Sequence, residues 1–334
     1  PKYYLRYLMT GKKVSFMSDA AGRLWLDVAK RDWSDSLLDK CGLSRSQMPT
    51  LVEGCEVSAT LDPQVAERWG LNASVAVAGG GGDNAVSAIG VGAVSPGDAF
   101  ISLGTSGVLF VVTDAYRPAP QSAVHAFCHV LPNLWHQMSV MLSAASCLQW
   151  FCRLTGTTEV ALLEEIAQLS EEEKAHAPFF LPYLSGERTP HNDPDARGMF
   201  WGMTHSSLRA QLGYAVLEGV SFGINDGLRV LKESGTRIEQ CSLVGGGARS
   251  PFWAQLLADI LDMPVVTHKG GETGGALGAA RLACLAAGKP LAAVCEKPEV
   301  WQTWRADPVR HQTLMRRYAQ FNALYLNDLN YRQH

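Results

Sequence analysis

Two stretches of this chain join an apolar β-type run to a helical run through consecutive glycines, and few folds accommodate such a corner. Residues 75–85 read Val-Ala-Val-Ala-Gly-Gly-Gly-Gly-Asp-Asn-Ala, and residues 242–250 read Ser-Leu-Val-Gly-Gly-Gly-Ala-Arg-Ser. Glycine lets the backbone turn sharply and lets another molecule come close to it. Val75–Ala78 is expected as a short buried strand, and the small residues from Ala85 onward as a helix. Asp83 closes the first glycine run. A carboxylate there can cap the helix, ligate a metal or act as a general base. The cap needs no ligand, since Asp and Asn are preferred capping residues. One type of corner in two halves of the chain suggests two related domains.

The turn Ser95-Pro96-Gly97-Asp98 marks the boundary, dividing residues 1–94 from 95–334. The first part holds a basic opening, an apolar stretch at Leu24–Leu37 expected to be helical, and the first corner. Beyond the turn, Ala99–Leu103 and Val108–Thr113 read as a hairpin around Gly104-Thr105-Ser106-Gly107. Ala123–Leu131 and Trp135–Leu142 read as antiparallel strands joined at Pro132-Asn133. Helices are expected at Ala144–Gly156, Glu159–Lys174 and Ser207–Ser234. Then come a strand at Gln240–Val244, a helix at Ser250–Leu261, a strand at Met263–Thr267 and a helix at Glu272–Ala287. A loop punctuated by proline leads to a last helix near Val309–Asn327. Strands alternating with helices indicate an α/β protein with a helix-covered sheet.

Composition narrows the function. The 334 residues are 47% hydrophobic and 18% charged, as in soluble globular proteins. Lys plus Arg number 29 against 32 Asp plus Glu, a net charge of −3, so no electrostatic footprint for nucleic acid or an anionic membrane exists. No apolar run reaches the length of a membrane span, and Pro1-Lys2-Tyr3-Tyr4 is not a signal peptide. The chain has no initiator Met and reads as a processed product or a fragment. Eight cysteines without a Cys-x-x-Cys pair suggest reduced, mostly buried thiols and a cytoplasmic setting. His125, Cys128, His129 and His136 could supply zinc ligands, but residues alternating faces along strands would not all converge.

Leu103-Gly104-Thr105-Ser106-Gly107 has phosphate-binding chemistry: glycines expose N–H groups, and the hydroxyls donate to phosphate oxygens. It is equally good as an ordinary hairpin turn. Gly245-Gly246-Gly247-Ala248-Arg249-Ser250 suits a nucleotide at a helix N-terminus, or a close-packed turn with Ser250 as N-cap. No Gly-x-x-x-x-Gly-Lys-Ser/Thr exists, which argues against a P-loop. Gly80-x-Gly82-x-x-Ala85 fits a loose dinucleotide fingerprint. The acidic residue expected about twenty positions on is replaced by the Gly104 hairpin. Gly104-Thr105-Ser106-Gly107 is not the nucleophile elbow Gly-x-Ser-x-Gly. An acid at a glycine corner, a hydroxyl-bearing hairpin and a second glycine corner can together surround a nucleotide triphosphate. Phosphoryl transfer needs cradled phosphates, a metal, and a carboxylate to orient and deprotonate an attacking hydroxyl.

These residues resemble the FGGY carbohydrate kinases. Gly-Gly-Gly-Asp-Asn-Ala at 80–85 is similar to their catalytic segment, and Leu-Gly-Thr-Ser-Gly at 103–107 to their second phosphate motif. Phe180-Leu-Pro-Tyr-Leu-Ser-Gly-Glu-Arg-Thr-Pro-His191 is similar to the signature stretch. Val244–Ser250 is similar to the adenosine motif, and Gly275–Ala280 to the helix that follows. Ser18-Asp19-Ala20-Ala21-Gly22 also follows the pattern. The resemblance implies an actin-like ATPase (ribonuclease H-like) fold, with a partial first domain and a complete second domain. It implies ATP-dependent phosphorylation of a pentulose, best matched by D-xylulose, with ATP and Mg2+. Asp83 would be the base, with Asn84 beside it at the sugar and the metal reached from Asp83 through water. Gly104, Thr105, Ser106, Gly107, Ala145, Gln149, Gly246, Gly247 and Ser250 would line ATP. Glu187 and Arg188 would form a loop-organising ion pair or touch ligand. The partners implied are a sugar and ATP, without nucleic acid or membrane, and with homodimerisation open.

The chain departs from the family pattern in one large respect. No Asp-x-Gly-Thr phosphate motif precedes Asp83, and the Met-His-containing sugar segment is absent. Little turnover by the chain alone is therefore expected. Two other readings compete: a nucleotide-binding module without activity, and a nicotinamide-dependent oxidoreductase resting on Gly80-x-Gly82-x-x-Ala85.

Overall fold

A seven-stranded sheet organises everything after the turn at 95–98. Its strands are β1 (Ala99–Leu103), β2 (Gly107–Thr113), β3 (His125–Cys128), β4 (Trp135–Met141), β5 (Cys241–Val244), β6 (Val265–His268) and β7 (Val300–Trp304), in the spatial order β7-β6-β5-β1-β2-β4-β3. The computed structural model describes residues 2–269 and 274–333. β1, β2, β4 and β3 form an antiparallel meander, whereas β5 runs parallel to both β1 and β6. The parallel pairs need crossovers, and helices supply them. The sheet is therefore α/β, covered by helices as expected.

Six helices matter for the site: α1 (Asp83–Gly90), α2 (Ala145–Thr155), α3 (Arg209–Glu233), α4 (Pro251–Leu261), α5 (Gly274–Ala286) and α6 (Pro308–Gln333). The long α3 is the spine of the main core. Val216, Leu217, Val220 and Phe222 are buried there with Ile101, Leu109 and Phe180. Such a run is apolar on nearly all sides, as a fully buried helix should be.

Several expectations need correction. Leu24–Leu37 is not a helix. Leu26–Asp27 and Asp32–Trp33 pair antiparallel, Arg31 takes φ +56°, and only Asp35–Lys40 is helical. The Asp27 carboxylate accepts the N–H of Lys30, a local bond that competes with the helix. Glu159–Lys174 breaks into Glu159–Ala167 and Glu171–Ala175. Ser170 starts the second piece with a capping box, its hydroxyl and the Glu173 side chain each satisfying the other's backbone N–H. The stretch expected as a loop before α6 contains β7, an edge strand on β6. The last helix runs on to Gln333. Glu272 and Thr273, expected to begin a helix, lie outside the described residues.

The first part of the chain has only small sheets among its described residues. Val14–Phe16 pairs with Thr50–Val52, and Val57–Thr60 with Ala76–Ala78. The strand expected to be buried at Val75–Ala78 is Ala76–Ala78 and lies exposed to half-buried, with Val75 38% exposed. Val75 and Val77 thus lack the second layer that would bury a strand face. The two glycine corners are accordingly not equivalent: one follows an antiparallel strand, the other a parallel strand inside the large sheet.

Candidate active site

Packing demands the first corner's glycines. A Cβ on Gly79 would lie 2.1 Å from the Glu53 carbonyl oxygen, and one on Gly81 would lie 2.3 Å from Val130 Cγ1. The loop is threaded between two neighbours where no side chain fits. Gly82 is extended and forms the N-cap position, so α1 begins at Asp83 rather than at Ala85. This corrects the cap reading. Asp83 is the first helical residue, and its side chain makes no cap bond. Its Oδ1 instead accepts the Asn84 N–H at 2.8 Å and the Asn84 Nδ2 at 3.3 Å, while the residue stays exposed. A carboxylate in the first turn of a helix sits in a favourable field and keeps its acceptor sites for an incoming group.

The hairpin between β1 and β2 is held from behind. Its tip closes on the Gly104 N–H donating to the Ser106 carbonyl at 3.1 Å. The start of α2 then grips it. Ala144 N–H reaches the Thr105 carbonyl at 2.9 Å, Ala145 N–H the Gly104 carbonyl at 2.8 Å, and Ser146 Oγ the Thr105 carbonyl at 2.7 Å. Gly107 is buried against Ala144, whereas Thr105 and Ser106 are exposed. The carbonyls are tied down and the hydroxyls are free, an arrangement able to donate to phosphate. Gln149 is exposed one turn further along α2.

The second corner lands against this hairpin. Val244 of β5 pairs with Ser102 of β1. Gly245 takes φ +89°, and a Cβ there would meet the Leu103 carbonyl at 2.9 Å; on Gly247 it would meet Leu103 Cδ2 at 2.4 Å. Gly246–Arg249 forms a single 3-10 turn before α4, with Gly246 exposed. Ser250 is buried, and its Oγ accepts the Trp253 N–H at 3.2 Å as the α4 cap. The fold thus brings together the hairpin, Ala145, Gln149, Gly246 and Gly247. Asp83 and Asn84 make no hydrogen bond to that group among the described residues. They are linked to the second part through α1, which packs so closely on α5 that a Cβ on Gly278 would sit 1.9 Å from the Val86 carbonyl.

The signature stretch supports the same region. The Glu187 carboxylate is buried and accepts the N–H groups of Leu142 at 2.9 Å and Arg188 at 2.7 Å through Oε1. Thr189 exchanges two bonds with Val140. The loop thereby extends β4 just before the turn into α2. No ion pair joins Glu187 to Arg188 among the described residues, correcting that expectation. Arg188 reaches His125 instead, at 3.1 Å. Burial pushes the Glu187 carboxyl up to about 7 and that of Asp226 up to about 6.

The four residues weighed as zinc ligands diverge. His136 stacks on Phe110 with 4.5 Å between centroids, beside the buried His129, while Cys128 Sγ donates to the Val28 carbonyl at 3.6 Å. Burial lowers the His129 imidazole to about 3. The dinucleotide fingerprint also loses its context. That motif needs a parallel βαβ unit, and Ala76–Ala78 instead pairs antiparallel with Val57–Thr60. Lys2 and Asp19 were not singled out as site residues from sequence, yet Lys2 Nζ donates to the Gly81 carbonyl at 3.0 Å and pairs with Asp19 at 2.9 Å. Nothing local announces a contact across 79 residues.

No helix among the described residues is long and apolar enough to cross a membrane. Residues 1–90 match the N-terminal domain of the FGGY family of carbohydrate kinases, and residues 99–287 match its C-terminal domain. The chain is 51% identical over 97% of its length to the xylulose kinase of Escherichia coli (strain K12), of which it covers 67%. It is 52% identical over 86% of its length to that of Klebsiella pneumoniae, of which it covers 59%. The crystal structure of a xyloylose kinase from Brucella ovis superposes with a TM-score of 0.93 at 48% identity, covering 98% of this chain and 68% of that one. Solved FGGY sugar kinases of this kind share the actin-like ATPase fold. The chain spans roughly three fifths to two thirds of the length of these curated relatives, and it belongs to the FGGY family of carbohydrate kinases.

Proposed function

We infer that this chain carries the base and the nucleotide-binding half of an ATP-dependent pentulose kinase that converts D-xylulose to D-xylulose 5-phosphate. The observation that carries this reading is the freedom of the Asp83 carboxylate. It sits exposed at the head of α1, bonded only to Asn84 among the described residues. A base must reach the proton it removes, and a capping carboxylate would be occupied. The xylulose kinases of E. coli and K. pneumoniae, about half identical to this chain, support the choice of sugar.

In this account Asp83 takes the proton from the sugar's terminal hydroxyl and Asn84 orients that sugar. Gly104, Thr105, Ser106 and Gly107 receive the phosphates, and Ala145, Gln149, Gly246 and Gly247 face the nucleoside. Ser250 contributes through its hydroxyl oxygen, which caps α4, and its O–H is left to donate toward the nucleoside. Mg2+ favours carboxylate, water and phosphate oxygens, and the exposed Asp83 carboxylate fits contact through water. The metal would neutralise charge on the transferring phosphoryl group. Residues 1–94 belong on this reading to the sugar-binding domain and 95–334 to the nucleotide domain, in a cytoplasmic protein.

The test is ADP release with D-xylulose, beside glycerol, gluconate, ribulose, fuculose and rhamnulose. The chain alone is expected to turn over poorly. The chain complemented by the part of the E. coli relative that it does not span is expected to turn over D-xylulose best. Calorimetric binding of NAD without binding of ATP would refute the kinase reading.

A further inference from the structure

We propose that Lys2 and Asp19 are positioning residues that clamp the glycine loop and thereby fix where Asp83 stands; the proposal rests on the reading of Asp83 as the base. Lys2 Nζ is shared between the Gly81 carbonyl at 3.0 Å and Asp19 Oδ2 at 2.9 Å. Ser18, the residue before Asp19, completes the grip from the other direction: its Oγ accepts the Gly82 N–H at 3.3 Å. Asp19 Oδ1 lies 3.5 Å from the place where a Gly82 Cβ would be. Both polar atoms of the Gly81–Gly82 peptide, one residue before Asp83, are therefore held by one short segment and one lysine.

The loop needs such an anchor because it cannot hold itself. Consecutive glycines carry the largest backbone freedom of any sequence, and their ordering has to be enforced by neighbours. Gly79 and Gly80 are held by their N–H groups on the Glu56 and Gly54 carbonyls at 2.8 and 2.9 Å, and Gly81 packs between Val130, Ser18 and Val86, which leaves the polar atoms of the Gly81–Gly82 peptide to the clamp. The ammonium is in turn placed by the ring of Phe16, 5.0 Å from its centroid, and by that of Tyr3 at 5.5 Å. Phe16, Ser18 and Asp19 all belong to one strand-to-helix segment, Val14–Phe16 followed by the short helix Met17–Ala20, and its strand pairs with Thr50–Val52. That pairing gives the clamp a fixed base. A small misplacement of a reacting group costs catalysis heavily, so a clamp two residues from the base acts on kcat.

Hydrogen exchange and kinetics on Lys2→Met, Lys2→Arg, Asp19→Asn and the Lys2→Met/Asp19→Asn pair test this. In the chain itself, Lys2→Met is expected to speed exchange of the amides at 79–84 by about tenfold while leaving β1 and β2 unchanged. In the complemented enzyme it is expected to lower kcat by about tenfold with the KM for ATP unaltered. Lys2→Arg restores both, and the double variant is no worse than Lys2→Met, because the two side chains form one device. Unchanged loop exchange in Lys2→Met overturns the proposal, as does a rise confined to the KM for D-xylulose, which would make Lys2 a sugar ligand. Should the parent enzyme show no turnover, the kinase reading fails, and the exchange and double-variant results still decide the clamp.

Discussion

Asp83 Oδ1 accepts the backbone N–H of Asn84 at 2.8 Å, and the Asn84 amide approaches the same oxygen at 3.3 Å. The backbone bond fixes the carboxylate's direction, while the amide is free to turn to a second partner. Asn84→Ala keeps the first and removes the second. It should raise the KM for D-xylulose about fivefold to tenfold with kcat largely retained, the loss of one hydrogen bond. Steady-state kinetics of the complemented enzyme check this.

Gly278 is demanded by α1. A Cβ there would fall 1.9 Å from the Val86 carbonyl, and the obstacle is backbone, which cannot swing away. Gly278→Ala should destabilise the fold by about 1–3 kcal/mol, the usual cost of overpacking, despite alanine's better helix propensity. Denaturant unfolding would show it as a lowered midpoint.

Glu187 gives stability a definite dependence on pH. Burial raises its carboxyl to about 7 in the folded state, against an ordinary value of 4.5. A raised folded value means that the folded chain holds the proton more tightly than the unfolded one. Its contribution is fully present below about pH 4.5 and is lost as pH rises through about 7, up to roughly 3 kcal/mol in all. Glu187→Gln keeps the acceptor for Leu142 and Arg188 and cannot ionise. Unfolding free energies measured from pH 5 to 8 should fall less steeply in the variant.

Arg317 and Glu218 are buried together, with contacts of 2.6 and 2.7 Å between the guanidinium and both carboxylate oxygens. Arg317→Met leaves the carboxylate without its partner and should cost about 3–5 kcal/mol. Replacing both, with Glu218→Leu, should recover most of that loss. Paired unfolding curves measure the difference.

How much of this was legible depended on the range of the interactions. The hairpin at 99–113, the second corner and α3 were written locally, in glycines and in long apolar periodicity. The cap alternative weighed for Asp83 missed by one residue, because four glycines leave the helix start unspecified. The extended Gly82 took the cap position. The Leu24–Leu37 stretch misled because its apolar spacing fits a helix, while Asp27 makes a competing local bond to Lys30 and Arg31 a distant one to Glu53. Lys2 and Glu187 were illegible for the same reason, since each acts on a backbone group far away in sequence, and Asp19 acts through Lys2.

Asp83→Asn in the complemented enzyme removes the proposed base and leaves its surroundings in place. Asparagine keeps an oxygen for the Asn84 N–H, so fold and ATP affinity should stand while the base is lost. A base at Asp83 requires xylulose-dependent ADP release to fall about a hundredfold or more in this variant, with the calorimetric Kd for ATP unchanged. Turnover within a few fold of the parent would contradict it.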